Sequence, residues 1–144
     1  MKTTTDEQSI RALLDRWAQA SRVKDLDGIM ACYAPDIVAF DAISQLQFKG
    51  VDAYREHWQY CFGFMEGDMV FDIHDPAIYV DGDLAFCHCL AVCGGTAPDG
   101  TEQSGWVRGT ICMRRIDGQW LTVHEHFSMP FDPETMKVAD DLKP

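Results

Sequence analysis

Ile10, Leu13, Leu14, Trp17 and Ala18 recur at three- and four-residue spacing, which gathers them on one face of a helix. The spacing predicts a helix over residues 5–22, opened by Thr5 and Gln8 as a capping box. A short second helix is predicted from Leu26 to Tyr33, burying Ile29, Met30 and Tyr33, and ending before Pro35 because proline disfavours helical backbone in the residue ahead of it. The run "DIVAFDA" reads as a strand. Gly50 then opens a third helix with Val51, Tyr54, Trp58 and Phe62 on one stripe. Beyond Gly67 the period changes to two, and "MVFDIHDPAIYV", "LAFCHCLAVCGG", "GWVRGTICMRRI" and "QWLTVHEHFS" read as strands parted by "DGD", "TAPDGTEQS" and "DG". Helices first and an antiparallel meander after them predict an α+β fold, the helices packed on one face of a curved sheet.

The last hairpin decides which residues share a surface. Asp117-Gly118 favours a two-residue turn, because a type I′ turn needs positive φ at both central positions. Ile116 then pairs with Gln119, and counting outward sets Cys112 opposite Val123 and Thr110 opposite Glu125. One face holds Arg108, Thr110, Cys112, Leu121, Val123, Glu125 and Phe127, and the other holds Ile111, Met113, Trp120, Thr122, His124, His126 and Ser128. The first face, apolar with one charged pair, has the composition of a small-molecule cavity. Arg108 lies diagonal to Glu125 there, and a carboxylate among apolar neighbours needs such a partner. Two alternatives stand beside this. A three-residue loop would shift the pairing by one and join Arg108 to the histidines, and Arg108 with Glu125 could be an ordinary exposed ion pair.

His124 and His126 could share a metal, but a site needs three or four ligands with supporting partners, and the spacing announces none. No metal and no cofactor are expected. With Trp120 and Met113, the two histidines are expected to form a second surface where another subunit packs.

The length of 144 residues suits a single domain over residues 1–131, followed by a tail over 132–144 whose prolines and carboxylates predict extended or frayed chain. The net charge of −11 would repel a phosphate backbone, so neither nucleic acid nor an anionic membrane is an expected partner. The start "MKTTTDEQSI" lacks the pattern of a secretory signal, and no apolar stretch approaches membrane-spanning length, which gives a cytoplasmic expectation. Six cysteines sit mostly in apolar segments, as reduced thiols used for packing do, and "CHCLAVC" lacks zinc-knuckle spacing.

The stretch "RWAQASRVKDLDGIMACYAPDIVAFDA" resembles the opening of bacterial ketosteroid isomerases. "FKGVDAYREHW" and the ending "WVRGT…DGQWLTVHEHFSMPFD" are similar to SnoaL-like proteins of the same NTF2-like superfamily. The resemblance implies a cone-shaped barrel of three N-terminal helices on a strongly bent, mixed but mostly antiparallel β-sheet. It also implies a deep apolar pocket and a homodimer through the sheet's outer face, here Trp120, His124 and His126. Pocket-facing positions of the closing strand fall on Val123, Glu125 and Phe127.

Carried over residue by residue, the isomerase's general base matches Asp41. Its oxyanion-hole tyrosine matches Trp17, and its protonated aspartic acid falls near Cys112, so both strong donors are missing and steroid isomerisation is not expected. The expected function is binding of a small, largely apolar organic molecule, with proton transfer of the isomerase, cyclase or lyase type. Asp41 would act as base, Arg108 would hold an oxyanion, and Glu125 would orient Arg108 or serve as a second acid or base. Trp17, Tyr33, Trp58, Thr110, Cys112, Val123 and Phe127 would form the walls, and His57 is a further candidate lining residue. Each has a plainer role open to it: Asp41 as a helix cap or solvated strand end, Trp17 and Trp58 as core. The alternative function is a non-catalytic ligand-binding or oligomeric assembly module.

Overall fold

The computed structural model describes residues 5–144. Helix α1 (Asp6–Arg22) starts at the expected capping box. The Gln8 N–H donates to the Thr5 hydroxyl at 3.1 Å, and the Thr5 N–H donates to the Gln8 side chain at 3.0 Å. Its buried face carries Ile10, Leu13, Leu14, Trp17 and Ala18.

Helix α2 (Leu26–Met30) is shorter than the sequence predicts, and Tyr33 instead begins strand β1 (Tyr33–Phe40). The cause lies in the sheet, since the Cys32 carbonyl already accepts the Thr122 N–H at 2.9 Å. Pro35 therefore sits inside a strand, in the interval between Tyr33 and Val38 where the pairing slips, one of the few places a strand accommodates a residue without an N–H.

Strand β2 (Phe48–Lys49) leads through Gly50, whose φ of 88° suits glycine, into helix α3 (Val51–Phe62). The meander follows as β3 (Glu66–Asp81), β4 (Leu84–Thr96), β5 (Glu102–Ile116) and β6 (Gln119–Ser128). The sheet order is β2-β1-β6-β5-β4-β3, parallel between β1 and β6 and antiparallel elsewhere. Irregular pairing in β3 around Asp75 and Pro76 helps bend this open cone around the helices. Inside it, Ile10 and Leu13 meet Ile29, Ile37, Ile111 and Met113, all essentially inaccessible to solvent. Burial of each such side chain contributes roughly 1.5–3 kcal/mol.

The β5–β6 turn is the expected two-residue one, with φ of 49° at Asp117 and 80° at Gly118 and Ile116 opposite Gln119. The register beyond it is not as expected. A bulge at Val123 interrupts the ladder, so Met113 faces Thr122 while Cys112 faces His124, Ile111 faces Glu125 and Arg108 faces Ser128. One extra residue in β6 reverses which of its positions point inward. Trp120 and Thr122 are buried before the bulge, and Glu125 and Phe127 are buried after it.

The tail is more ordered than expected: β7 (Phe131–Asp132) pairs with β8 (Lys137–Val138), and the Ala139 N–H donates to the Pro130 carbonyl at 2.8 Å. All six cysteines are free. Among the described residues, no helix is long and apolar enough to cross a membrane.

Candidate functional site

A cavity of about 330 Å³ lies between the helices and the concave face of the sheet. Its walls are mostly apolar, with Trp17 from α1, Trp58 from α3, Phe71 from β3, Val107 from β5 and Phe127 from β6. Polar groups gather at one corner. Asp41 enters there at the end of β1, while Tyr54, His57 and Cys61 reach it from α3, whose three- and four-residue spacing stacks them on one face.

Asp41 Oδ2 and His57 Nε2 share a hydrogen bond, with the two side chains 19% and 3% exposed. The other Asp41 oxygen accepts the Ala42 N–H at 2.7 Å. The His57 ring is fixed by stacking on Phe48 at 4.0 Å between centroids and lies nearly parallel to Tyr54. Cys61 Sγ approaches the same Nε2 at 3.6 Å. Burial, followed by the negative charge of Asp41, pushes the Cys61 thiol up to about 12.

Glu125 sits deeper and is only 1% exposed. Its Oε1 accepts from the Tyr33 hydroxyl at 2.8 Å and from the Tyr54 hydroxyl at 2.6 Å, and the Trp17 indole N–H donates to the Tyr33 oxygen at 2.9 Å. Oε2 is buried without a partner, as is the indole nitrogen of Trp58. Burial raises the Glu125 carboxyl to about 7; the two phenols act against that rise, and the Asp41 charge adds to it. Both phenols are in turn driven well above the ordinary tyrosine range, by burial first and by the Glu125 charge second.

Of the residues singled out from the sequence, Asp41, Trp17, His57, Trp58 and Phe127 line this cavity, and Tyr33 and Glu125 lie behind it, bonded to each other, with Glu125 bonded also to Tyr54. Arg108, Thr110 and Cys112 do not, because the Val123 bulge puts them across from Ser128, His126 and His124 on the opposite face. Arg108 Nε donates there to the Ser128 hydroxyl at 3.1 Å. The expected Arg108–Glu125 pair is absent, and two tyrosines take the place of the guanidinium. Val123 occupies the bulge itself, and Trp120 belongs to the core, 6% exposed and with Arg115 over its ring, not to the outer face. His124 and His126 do face outward, edge-on to Phe40. Tyr54 and Cys61 had no assigned role, yet both lie on the same helical face as His57 and Trp58, at positions 54, 57, 58 and 61. Read for polar as well as apolar members, that stripe marks the site.

The family model for the SnoaL-like domain matches residues 10–132. An NTF2-like protein of unknown function from Pseudomonas putida is similar over the whole of both chains, with 49% identity and a TM-score of 0.89. An NTF2-like superfamily protein from Salmonella enterica shares the fold at 19% identity, covering 88% of this chain and 92% of its own, with a TM-score of 0.78. A ketosteroid isomerase-like protein from Erwinia carotovora does so at 20% identity, covering 86% of this chain and 97% of its own, with a TM-score of 0.72. No curated protein matches the chain.

Proposed function

The chain belongs to the family of SnoaL-like domains within the NTF2-like superfamily, and from that premise we propose that it binds a small, largely apolar organic molecule and transfers a proton on it at Asp41. The observation that carries this reading is the Asp41–His57 pair, set at the rim of an otherwise apolar cavity. An apolar wall of Trp17, Phe71 and Phe127 would hold the body of the molecule. The Asp41–His57 pair would take a proton from carbon or oxygen, its reach set by the packed imidazole.

Glu125 supplies the complementary group. When its carboxyl holds a proton, it donates to one of the two phenols, leaving a phenol O–H free. Tyr54, which lines the cavity, could then turn its hydroxyl toward a developing oxyanion. Isomerase, cyclase and lyase steps that pass through an enolate or other oxyanion use this combination of one base and one neutral donor. Mass spectrometry of the molecule that copurifies with the protein, followed by turnover of that molecule by Asp41→Asn, tests the reading. Loss of turnover with retained capture supports it, and unchanged turnover removes it.

A second reading, an assembly module joined through the outer sheet face, draws on a different observation. Tyr79, Phe86 and Leu90 are exposed there, Tyr79 stacked on Phe86 at 4.8 Å; the row of Tyr79 and Phe86 runs across Cys112 to His124, and the neighbouring row runs from His88 across Thr110 to His126. Sedimentation of Phe86→Asp beside the unaltered protein tests it: dissociation of an oligomer supports assembly, and an unchanged state removes it.

A further inference from the structure

Three different donor atoms lie close together at the cavity's polar corner. They are an Asp41 carboxylate oxygen, His57 Nε2 and Cys61 Sγ, all within 4.8 Å of one another. His57 and Cys61 are four apart on α3, so one helical face presents both, and Asp41 reaches them from the end of β1.

Two uses of such a trio can be told apart by geometry. In a relay that activates a thiol, the acid and the sulfur occupy opposite nitrogens of the imidazole. Here Asp41 bonds Nε2, while the Cys61 sulfur lies beside the ring, 3.6 Å from Nε2 and 4.0 Å from Nδ1 and in line with neither nitrogen. The sulfur is not placed on the nitrogen opposite Asp41, as that relay requires, whereas three donors this close together can share one cation. For tetrahedral zinc with typical bond lengths, the nitrogen-to-sulfur edge is about 3.5 Å, close to the His57–Cys61 separation, and a turn of the Cys61 side chain would bring its sulfur from beside the ring to the ion. The Asp41–His57 hydrogen bond is the contact that a cation would open, taking the place of the shared proton.

We propose that Asp41, His57 and Cys61 form a three-ligand site for zinc or a similar borderline divalent cation, with its fourth position open to the cavity. The mixed oxygen, nitrogen and sulfur set favours such ions over magnesium or calcium, which take oxygen. Asp41 and a Cys61 thiolate together balance the two positive charges, the cation displacing the thiol proton. An oxygen of the cavity's occupant, carbonyl or hydroxyl, would fill the fourth position. The site is distinct from the His124–His126 pair and does not depend on the proton-transfer reading, since it asks only that three donors share an ion.

Cobalt(II) is the probe, because thiolate ligation gives an intense near-ultraviolet charge-transfer band and a tetrahedral visible spectrum. Chelator-treated protein titrated with cobalt(II) is expected to show both, saturating at one equivalent and reversed by zinc(II). Cys61→Ser is expected to lose the charge-transfer band. Asp41→Asn is expected to keep the band but bind at least about tenfold more weakly. Cys61→His, which restores a ligand without sulfur, should recover affinity without the band, and this keeps the test decisive if the serine variant is unstable. No saturable uptake, an octahedral spectrum, or a charge-transfer band that survives in Cys61→Ser would overturn the site. Cavity binding and proton transfer by the metal-free protein are measured separately and stand or fall without it.

Discussion

The Tyr54 hydroxyl donates to Oε1 of Glu125 at 2.6 Å while Oε2 of the same carboxyl has no partner, so a buried acid is held from one side only. Its pKa rises from 4.5 to about 7 on folding. The folded protein therefore keeps a proton that the unfolded chain loses on passing pH 4.5. Stability from this group is complete below that pH and falls as pH rises toward 7, by about 3 kcal/mol at roughly 1.4 kcal/mol per pKa unit. Glu125→Gln cannot ionise and should lack that slope. Urea unfolding near pH 5 and near pH 8 is expected to show the variant gaining on the unaltered protein as pH rises, and parallel behaviour of the two would contradict the assignment.

Tyr54→Phe removes one of the two donors to that carboxyl. The lost bond is to a group that carries charge only at higher pH, so its cost should depend on pH. A destabilisation of about 1.5–3 kcal/mol is expected near pH 8, where the acceptor is ionised, and about 1 kcal/mol near pH 5. Equal losses at both pH values would mean that Glu125 does not titrate between them.

Arg108→Ala tests the bulge. With Arg108 beside Ser128 on the outer face, the change should leave the affinity of an anilinonaphthalene dye for the cavity within about twofold and stability within about 0.5 kcal/mol. A large loss of dye binding would restore the unbulged register, in which the guanidinium faces Glu125.

Gly109 lies opposite Phe127 in the ladder, and a Cβ there would come within 2.6 Å of the Phe127 ring and 3.4 Å of Cys89 Sγ. Gly109→Ala must push that ring into the cavity, at an expected cost of about 1–3 kcal/mol. Thermal unfolding should show the loss and dye titration a weaker site. Unchanged values in both would contradict the placement of Phe127.

What the chain discloses about itself follows how local each signal is. The capping box at Thr5, the stripe of α1 and the Asp117-Gly118 turn are set by neighbouring residues and were legible. The end of α2 was not, since pairing of Cys32 with Thr122 draws Tyr33 into the sheet from ninety residues away in sequence. The bulge at Val123 carries no sequence mark either; β5 and β6 are both apolar on alternate positions, and that alternation reads the same with or without the slip that sets Ile111 opposite Glu125 and Met113 opposite Thr122. That single slip moved Arg108, Thr110 and Cys112 out of the site while leaving Glu125 and Phe127 at it. Asp41 was readable from the resemblance of its strand, whereas its partner His57 needed α3 and β1 to be brought together.

The most direct test is a proton abstraction that needs no knowledge of the natural ligand. Nitrobenzisoxazole is a flat, apolar carbon acid suited to this cavity, and its ring opening begins with loss of one C–H proton. The unaltered protein, kept metal-free with chelator, is expected to accelerate that opening, and Asp41→Asn to lose about 100-fold or more of the catalysed rate while still binding the dye. No acceleration by the unaltered protein, or a rate in Asp41→Asn within about threefold of it, would contradict Asp41 as the base.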